Sequence, residues 1–184
     1  MNMKKQILFI FSFLVIILTG CGKYENGPGF SLRSKNARLS GKWKVVKYEY
    51  NLINSTDASQ NSSSILNGNL MTETDPEAVY DPVDGSFIGY VPVSTTYTYS
   101  STWEIETKDN SIKSTYSYDG STRVSTSLWS WSDGIDNQEI LEIFGEESSS
   151  RYIIKRLTNK EMELFREYTE DDETERTSIT LEKQ

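Results

Sequence analysis

The most informative absence is histidine, of which the chain has none among its 184 residues. Histidine is the usual general base and a common metal ligand, so its absence excludes a Ser-His-Asp triad and every His-containing metal site. The sequence also lacks a Gly-rich phosphate loop and a Ser-x-x-Lys dyad. Paired carboxylates, as in glycoside hydrolysis, are the catalytic chemistry that remains. Nearly all Asp and Glu residues fall in turns or alternate with polar residues, which indicates a solvated surface, and we expect no enzyme.

Basic residues are also few, with 19 Lys and Arg against 27 Asp and Glu, and the formal net charge is −8. Nucleic acids and anionic lipids both require clustered Lys and Arg. The acidic balance therefore argues against a nucleic-acid partner and against electrostatic docking to a membrane. Aromatic residues are abundant at 12%. Together with the many Ser and Thr residues they favour strands over helices, because they fit a pleated surface.

A secretory signal is indicated at the N-terminus, where Lys4 and Lys5 precede an apolar run over residues 7–18. The run is short for a membrane-spanning helix, which needs about 20 apolar residues. It ends in Leu18-Thr19-Gly20-Cys21, which resembles the bacterial lipobox. The resemblance implies a signal peptide over residues 1–20 and acyl chains on Cys21 that anchor the protein in the membrane. Loss of the signal, with its two positive charges, moves the net charge from −8 to −10.

An acylated Cys21 has consequences for the rest of the chain. It is the only cysteine, so neither a disulfide nor a thiol nucleophile is available. Residues 21–38, which contain Gly27-Pro28-Gly29, are predicted to form a flexible tether, and residues 39–184 a single domain. We expect the protein in the bacterial cell envelope, at the outer membrane, with the periplasmic and cell-surface faces both left open.

The domain is predicted to be all-β, since alternating polar and apolar residues recur between turn signals and no long helical pattern occurs. Asp119-Gly120 is the strongest hairpin signal. Residues 52–93, rich in Ser, Asn and Thr, are predicted to be one long loop, in which Phe87, Tyr90 and Val91 leave room for a short hairpin or a flap. The eight predicted strands cover residues 42–51, 96–106, 112–118, 123–131, 139–144, 151–157, 162–168 and 174–183.

Eight consecutive antiparallel strands have to avoid leaving two exposed edges. An eight-stranded up-and-down β-barrel does so, and its interior has room for side chains or for one small ligand. A two-sheet β-sandwich is the alternative, and the periodicity does not separate the two.

The start of the domain, Leu39-Ser40-Gly41-Lys42-Trp43, resembles the Gly-x-Trp opening of lipocalins. It is particularly similar to the Leu-x-Gly-x-Trp start of small lipocalin-like lipoproteins of Bacteroidota. The segments 152–158, 162–164 and 179–183 are similar to the last three strands of that family. The resemblance implies a lipocalin-like barrel in which Gly41 allows close packing and Trp43 plugs the closed end.

Aromatic residues are the candidate ligand-binding residues, because flat rings with polar rims suit sugars and amphipathic molecules. The same rings can instead fill the core of a chain that is poor in aliphatic residues. Trp129 and Trp131 project from one strand face, and we expect this pair to be the most exposed, with Val124 and Leu128 on the opposite face supplying the core. The candidates are Tyr97, Tyr99, Trp103, Tyr116, Tyr118, Trp129 and Trp131.

Two acidic clusters are predicted to be solvated turns rather than sites. Asp133, Asp136 and Glu139 bracket one turn, but their spacing does not match an EF-hand loop. Residues 170–173 form the tip of another hairpin. Acidic residues favour turns for local hydrogen-bonding reasons, so we expect neither a metal nor a cofactor.

These observations predict a non-catalytic, membrane-anchored lipoprotein that binds a small apolar or glycan ligand through the open end of the barrel, gated by the loop 52–93. The alternative is a filled barrel that docks an envelope protein, as an accessory or interaction module. A hydrolase with two carboxylates is the third hypothesis.

Overall fold

The computed structural model describes residues 33–134, 138–145 and 148–184. The predicted signal peptide, Cys21 and most of the predicted tether lie outside these residues. Within them, no helix is long and apolar enough to cross a membrane. The elements are α1 (Lys35–Leu39), β1 (Gly41–Asn54), a 3-10 helix (Ala58–Gln60), β2 (Ser62–Asn67), β3 (Leu70–Tyr80), β4 (Phe87–Glu106), β5 (Ser111–Tyr118), β6 (Ser121–Asp133), β7 (Glu139–Phe144), β8 (Ser149–Leu157), β9 (Glu161–Glu170) and β10 (Glu173–Lys183).

The predicted all-β, antiparallel fold is confirmed. Each of the eight predicted strands lies within an observed strand, and each strand from β4 to β10 pairs with the next along the chain. Asp119 and Gly120 form the β5–β6 turn with φ angles of 42° and 82°, the left-handed backbone that favours Asp and Gly in tight hairpins. β1 pairs with β10 and closes the sheet into a ring, so a flat two-sheet sandwich is not what forms.

The ring contains ten strands rather than eight, and the prediction of one long loop over residues 52–93 is wrong. The two additional strands are β2 and β3, and the same segment also supplies the first part of β4. β2 has a single buried side chain, Leu66, among Ser and Asn residues. A strand with so little apolar alternation gives almost no periodic signal.

Strands β2 and β3 form a hairpin that separates β1 from β4 along only part of their length. Below the hairpin, Gly41–Lys44 of β1 pairs directly with Thr102–Ile105 of β4. From Lys47 onward, β1 pairs with β2 of the hairpin instead of with β4. We call the side where β1 and β4 pair directly the closed end, and the opposite side the open end.

Helix α1 covers the closed end, so the predicted flexible tether stops before residue 35. Ser34 caps the helix by accepting a hydrogen bond from the backbone N–H of Ala37 at 3.2 Å. The Arg38 guanidinium donates to the carbonyl of Leu157 at 3.0 Å. Leu39 at the end of the helix is completely buried. These contacts fix the short helix against the strands.

Gly41 and Trp43 lie directly after this helix. Gly41 has φ +124°, a backbone conformation that favours glycine. A Cβ atom there would lie 2.7 Å from Cε of Lys183, near the end of a flexible side chain that can move aside. Trp43 is completely buried, and its indole N–H donates to the carbonyl of Leu39 at 2.7 Å. The core continues upward from Trp43 through Val45, Leu66, Met71, Ile105, Ile112, Trp129, Leu141, Ile154, Leu157, Met162, Leu164, Ile179 and Leu181.

Candidate functional site: an internal cavity lined by aromatic side chains

A cavity of about 180 Å³ lies inside the ring, at the level where the β2–β3 hairpin enters between β1 and β4. Four of the lining side chains are aromatic, three are apolar and one is a hydroxyl. The lining residues are Tyr48, Tyr99, Trp103, Tyr152, Val45, Met71, Ile179 and Ser101. None of the eight is charged, so the walls offer ring faces and neutral hydrogen-bonding groups only.

Burial raises the pKa of Tyr48 and of Tyr99, two of the phenols that line this cavity. It raises the pKa of Tyr48 to about 12, and the neighbouring phenols of Tyr152 and Tyr50 contribute to the rise. Burial also raises the pKa of Tyr99, an effect that the Ser101 hydroxyl partly opposes. At neutral pH these hydroxyl groups are therefore uncharged, and each one is able to donate and to accept a hydrogen bond.

Charged groups lie above the cavity, toward the open end, and they are already paired. The phenol of Tyr97 donates a hydrogen bond to the carboxylate of Glu73. The guanidinium of Arg166 lies 3.4 Å from the carboxylate of Glu175 and donates to Ser150 Oγ at 3.2 Å. Burial and the Glu73 carboxylate both raise the pKa of Tyr97. These groups form a polar rim above the cavity, with one ion pair, Arg166 with Glu175, and one carboxylate, Glu73, that accepts a hydrogen bond from a phenol.

Five of the seven predicted aromatic residues lie on strands beside or above the cavity. Tyr99 and Trp103 line it. Tyr97 and Tyr118 lie at the rim, where their rings make an edge contact at 4.4 Å and 69°. Tyr116 pairs with Ser101 across β4 and β5. The predicted aromatic pocket is thus divided between cavity and rim.

The predicted exposure is wrong for Trp129, whereas Trp131 is partly buried. Trp129 is only 3% exposed, whereas Val124 and Leu128, the residues expected in the core, are each 57% exposed. The face of β6 that carries Trp129 has the small residues Ser125 and Ser127 above it, toward the open end, while the opposite face carries these aliphatic residues. The aliphatic residues of β6 therefore predict the outward face of the strand as its core face.

Both tryptophans lie at the closed end, away from the cavity. The indole N–H of Trp129 donates to the carbonyl of Glu106 at 3.1 Å. The indole N–H of Trp131 donates to Asn36 Oδ1 at 2.6 Å, and the Lys35 ammonium lies 4.4 Å from the centre of its ring. The two rings meet edge to face at 5.7 Å. This pair joins the core to helix α1, so it offers no ligand platform.

Two cavity residues that the sequence pattern missed, Tyr48 and Tyr152, contribute half of the aromatic lining. Trp43 and Val45 point inward, so a regular strand would turn Tyr48 outward. The register of β1 against β10 shifts between Val45 and Lys47, and this bulge turns Tyr48 inward. Tyr152 begins the segment 152–158, which resembles a lipocalin strand. Its aromatic side chain was the one sequence feature that could have marked it as a cavity residue.

Of the three acidic residues at the predicted turn, Glu139 is the one whose side chain lies among the described residues. Asp136 lies outside the described residues, and Glu139 is buried, with its carboxylate 3.6 Å from the Lys35 ammonium. No group of three or more His, Cys, Asp or Glu side chains that could hold a metal ion occurs among the described residues. Glu139 therefore pairs with helix α1.

The chain matches no protein-family model, and neither the curated proteins nor the solved structures contain a match to it. What the cavity binds has to follow from the residues that line it.

Proposed function

We propose that the chain is a lipid-anchored, non-catalytic binding protein of the bacterial outer membrane, with a lipocalin-like ring of strands that holds one small neutral ligand. The observation that carries this proposal is the internal cavity formed by Tyr48, Tyr99, Trp103 and Tyr152. Ligand sites are typically concave, mostly apolar and provided with a few polar groups. This cavity has that composition.

The size of the cavity limits the ligand to about one ring. An engineered apolar cavity of about 150 Å³ holds a benzene molecule, whereas pockets for drug-sized ligands are about 300–1,000 Å³. The cavity here is about 180 Å³. A single sugar ring or a small aromatic molecule fits this volume.

The polarity of the walls favours a neutral ligand that has hydroxyl groups. Aromatic faces suit the C–H faces of a sugar ring, and the hydroxyl of Ser101 with the phenols provides hydrogen bonds at the edge. A charged ligand would lose its hydration without gaining an opposite charge from the lining residues. Those residues also include no carboxylate, which supports a binding function over a two-carboxylate hydrolase. The predicted gate over residues 52–93 is not part of the proposal, because that segment forms strands.

Filling the cavity is expected to abolish binding. Ser101 is 5% exposed and lines the cavity, so Ser101→Leu places a bulky group where the ligand would lie. Ser100→Leu is the matched control, because its side chain is exposed on the outside of the same strand. Native mass spectrometry of the full chain from its own envelope is expected to show a small-molecule adduct on the wild type and on Ser100→Leu, and none on Ser101→Leu. A wild type without an adduct, or an adduct that survives Ser101→Leu, contradicts the proposal.

The membrane anchor is tested separately. If Cys21 carries the acyl chains, Cys21→Ala is expected to move the protein from the membrane fraction to the soluble fraction, since the anchor is hydrophobic. The measurement is immunodetection in both fractions after a high-salt wash, with Ser34→Ala as a control that leaves the lipobox intact. Retention of Cys21→Ala in the membrane contradicts the lipoprotein assignment without affecting the cavity proposal.

The second candidate function is a protein-interaction or accessory module. It is favoured by one observation, an exposed apolar ribbon that extends from the open end of the ring.

A further inference from the structure

The upper parts of β3 and β4 form a two-stranded ribbon over residues 75–93, which we call the arm. Six residue pairs join its two strands, from Asp75 with Val93 to Tyr80 with Phe87. The pairing of β3 with β2 stops at Thr74, and the pairing of β4 with β5 begins only at Tyr99. Among the described strands, none pairs with the outer edges of the arm. At about 3.4 Å per residue, the paired part of the arm is about 20 Å long.

The arm exposes an unusual amount of apolar surface. Val83 at its tip is 92% exposed, and Ile88 is 63% exposed. The rings of Tyr80, Phe87 and Tyr90 contact one another edge to face, at 5.8 Å and 5.1 Å. Further exposed side chains on the arm are those of Val91 and Val93. Contiguous exposed apolar surface of this kind marks interaction sites.

The edges of the arm are unsuited to pairing with another strand. Pro76 lies directly opposite Pro92, and neither residue has an N–H group. Both outer edges therefore lack a backbone donor at this position, which is a common protection of exposed strands. A partner has to bind the side-chain faces of the arm rather than extend its sheet.

The charge that the arm itself carries is entirely negative. Residues 48–107 contain nine Asp and Glu residues and no Lys or Arg. Four of the carboxylates, Asp75, Glu77, Asp81 and Asp84, are on the arm itself. An anionic lipid surface would be repelled, and two arms packed together would place like charges side by side. The complementary surface is an apolar groove bordered by Lys and Arg side chains.

We propose that the arm is the docking element for a second envelope protein, which holds Val83, Phe87 and Ile88 in an apolar groove with a basic rim. The arm extends from the open end, whereas helix α1, through which the chain leads back toward Cys21, covers the closed end. Docking at the arm leaves helix α1 free. This inference goes beyond ligand binding and does not depend on the cavity.

Site-specific photo-crosslinking in the native cells tests this proposal. A photoreactive amino acid replaces Ile88 in the full chain, and the matched control places it at Val124, which is 57% exposed on β6. We expect crosslinks at position 88 to one protein, through a peptide that contains Lys or Arg, and no such product at position 124.

Charge reversal tests the basic rim. Asp75→Lys with Glu77→Lys is expected to reduce the yield of that product at least tenfold, because both carboxylates are exposed on the arm. Glu104→Lys with Glu106→Lys changes the net charge equally on exposed positions of β4 near the closed end and is expected to leave the yield unchanged. If the arm variant fails to fold, Val83→Ser tests the apolar contact instead: it removes the most exposed apolar side chain of the arm without a change of charge and is expected to reduce the yield of the product.

Several outcomes overturn the proposal. These are the absence of a protein product at position 88, a product consisting of lipid or of a second copy of this chain, and a product with an equal yield at position 124. Equal loss of the product in the two charge-reversed variants also overturns it, since the effect would then be one of net charge alone.

Discussion

Replacing Trp43 with alanine is expected to lower the free energy of unfolding by about 3–5 kcal/mol, the usual cost of removing a large buried aromatic side chain. Trp43 has no exposed surface and packs inside the closed end, beneath helix α1. Its loss also removes the hydrogen bond to the carbonyl of Leu39 and the contact with the Lys183 ammonium, which lies 5.0 Å from the ring centre. Chemical denaturation followed by circular dichroism measures the change.

Two controls separate the ring from its hydrogen bond. Trp43→Phe keeps most of the apolar volume and loses the indole N–H, so we expect a smaller loss of about 1–3 kcal/mol. Lys42→Ala changes an exposed neighbour on the same strand and is expected to stay within about 0.5 kcal/mol of the wild type. A wild-type unfolding midpoint for Trp43→Ala would show that the closed end does not depend on this side chain.

Trp129→Ala is expected to have the second large effect, about 3–5 kcal/mol, because the ring is almost fully buried and joins β6 to the end of β4. Trp131→Ala is expected to cost less, since Trp131 is only partly buried. Both losses of stability are measured by the same chemical denaturation. Trp131→Ala is also expected to weaken the attachment of helix α1, and faster hydrogen exchange at the backbone amides of residues 35–39 would show this.

Val124→Ala and Leu128→Ala are the matched controls on the same strand. Both side chains are 57% exposed, so we expect each change to alter stability by no more than about 0.5 kcal/mol. The reverse ranking, in which Leu128→Ala destabilises the protein and Trp129→Ala does not, would reverse the assignment of the two faces of β6.

Alternation along the strands was enough to predict most of the sheet. The segment from Thr96 to Glu106 alternates between polar and apolar residues except at Ser101, and Asp119-Gly120 marks the turn between β5 and β6, because side-chain direction and turn conformation are local properties. β2 was missed because Ser62, Ser63 and Ser64 give no apolar alternation. It forms a strand because both neighbours offer backbone hydrogen-bonding groups, which is a tertiary effect.

The candidate site was predictable only in part, and the reason is register. Tyr99 and Trp103 share the face that their alternation indicates, and both line the cavity. Tyr48 reaches it only through the shift between Val45 and Lys47. A shift of one residue moves every later side chain to the other face, and the local sequence does not indicate where the shift occurs.

The branching of β1 away from β4 makes the ring conical. Where Lys44 pairs with Thr102, β2 and β3 are absent, whereas from Lys47 upward both are present. At about 4.8 Å per strand, the two extra strands widen the perimeter by about 10 Å and the radius by about 1.5–2 Å. Inward side chains that meet across the narrow end cannot all meet across the wider one. The empty volume between Val45, Met71 and Ser101 is thus a geometric result of the added hairpin, and lengthening or deleting that hairpin would change the size of molecule that the ring accommodates.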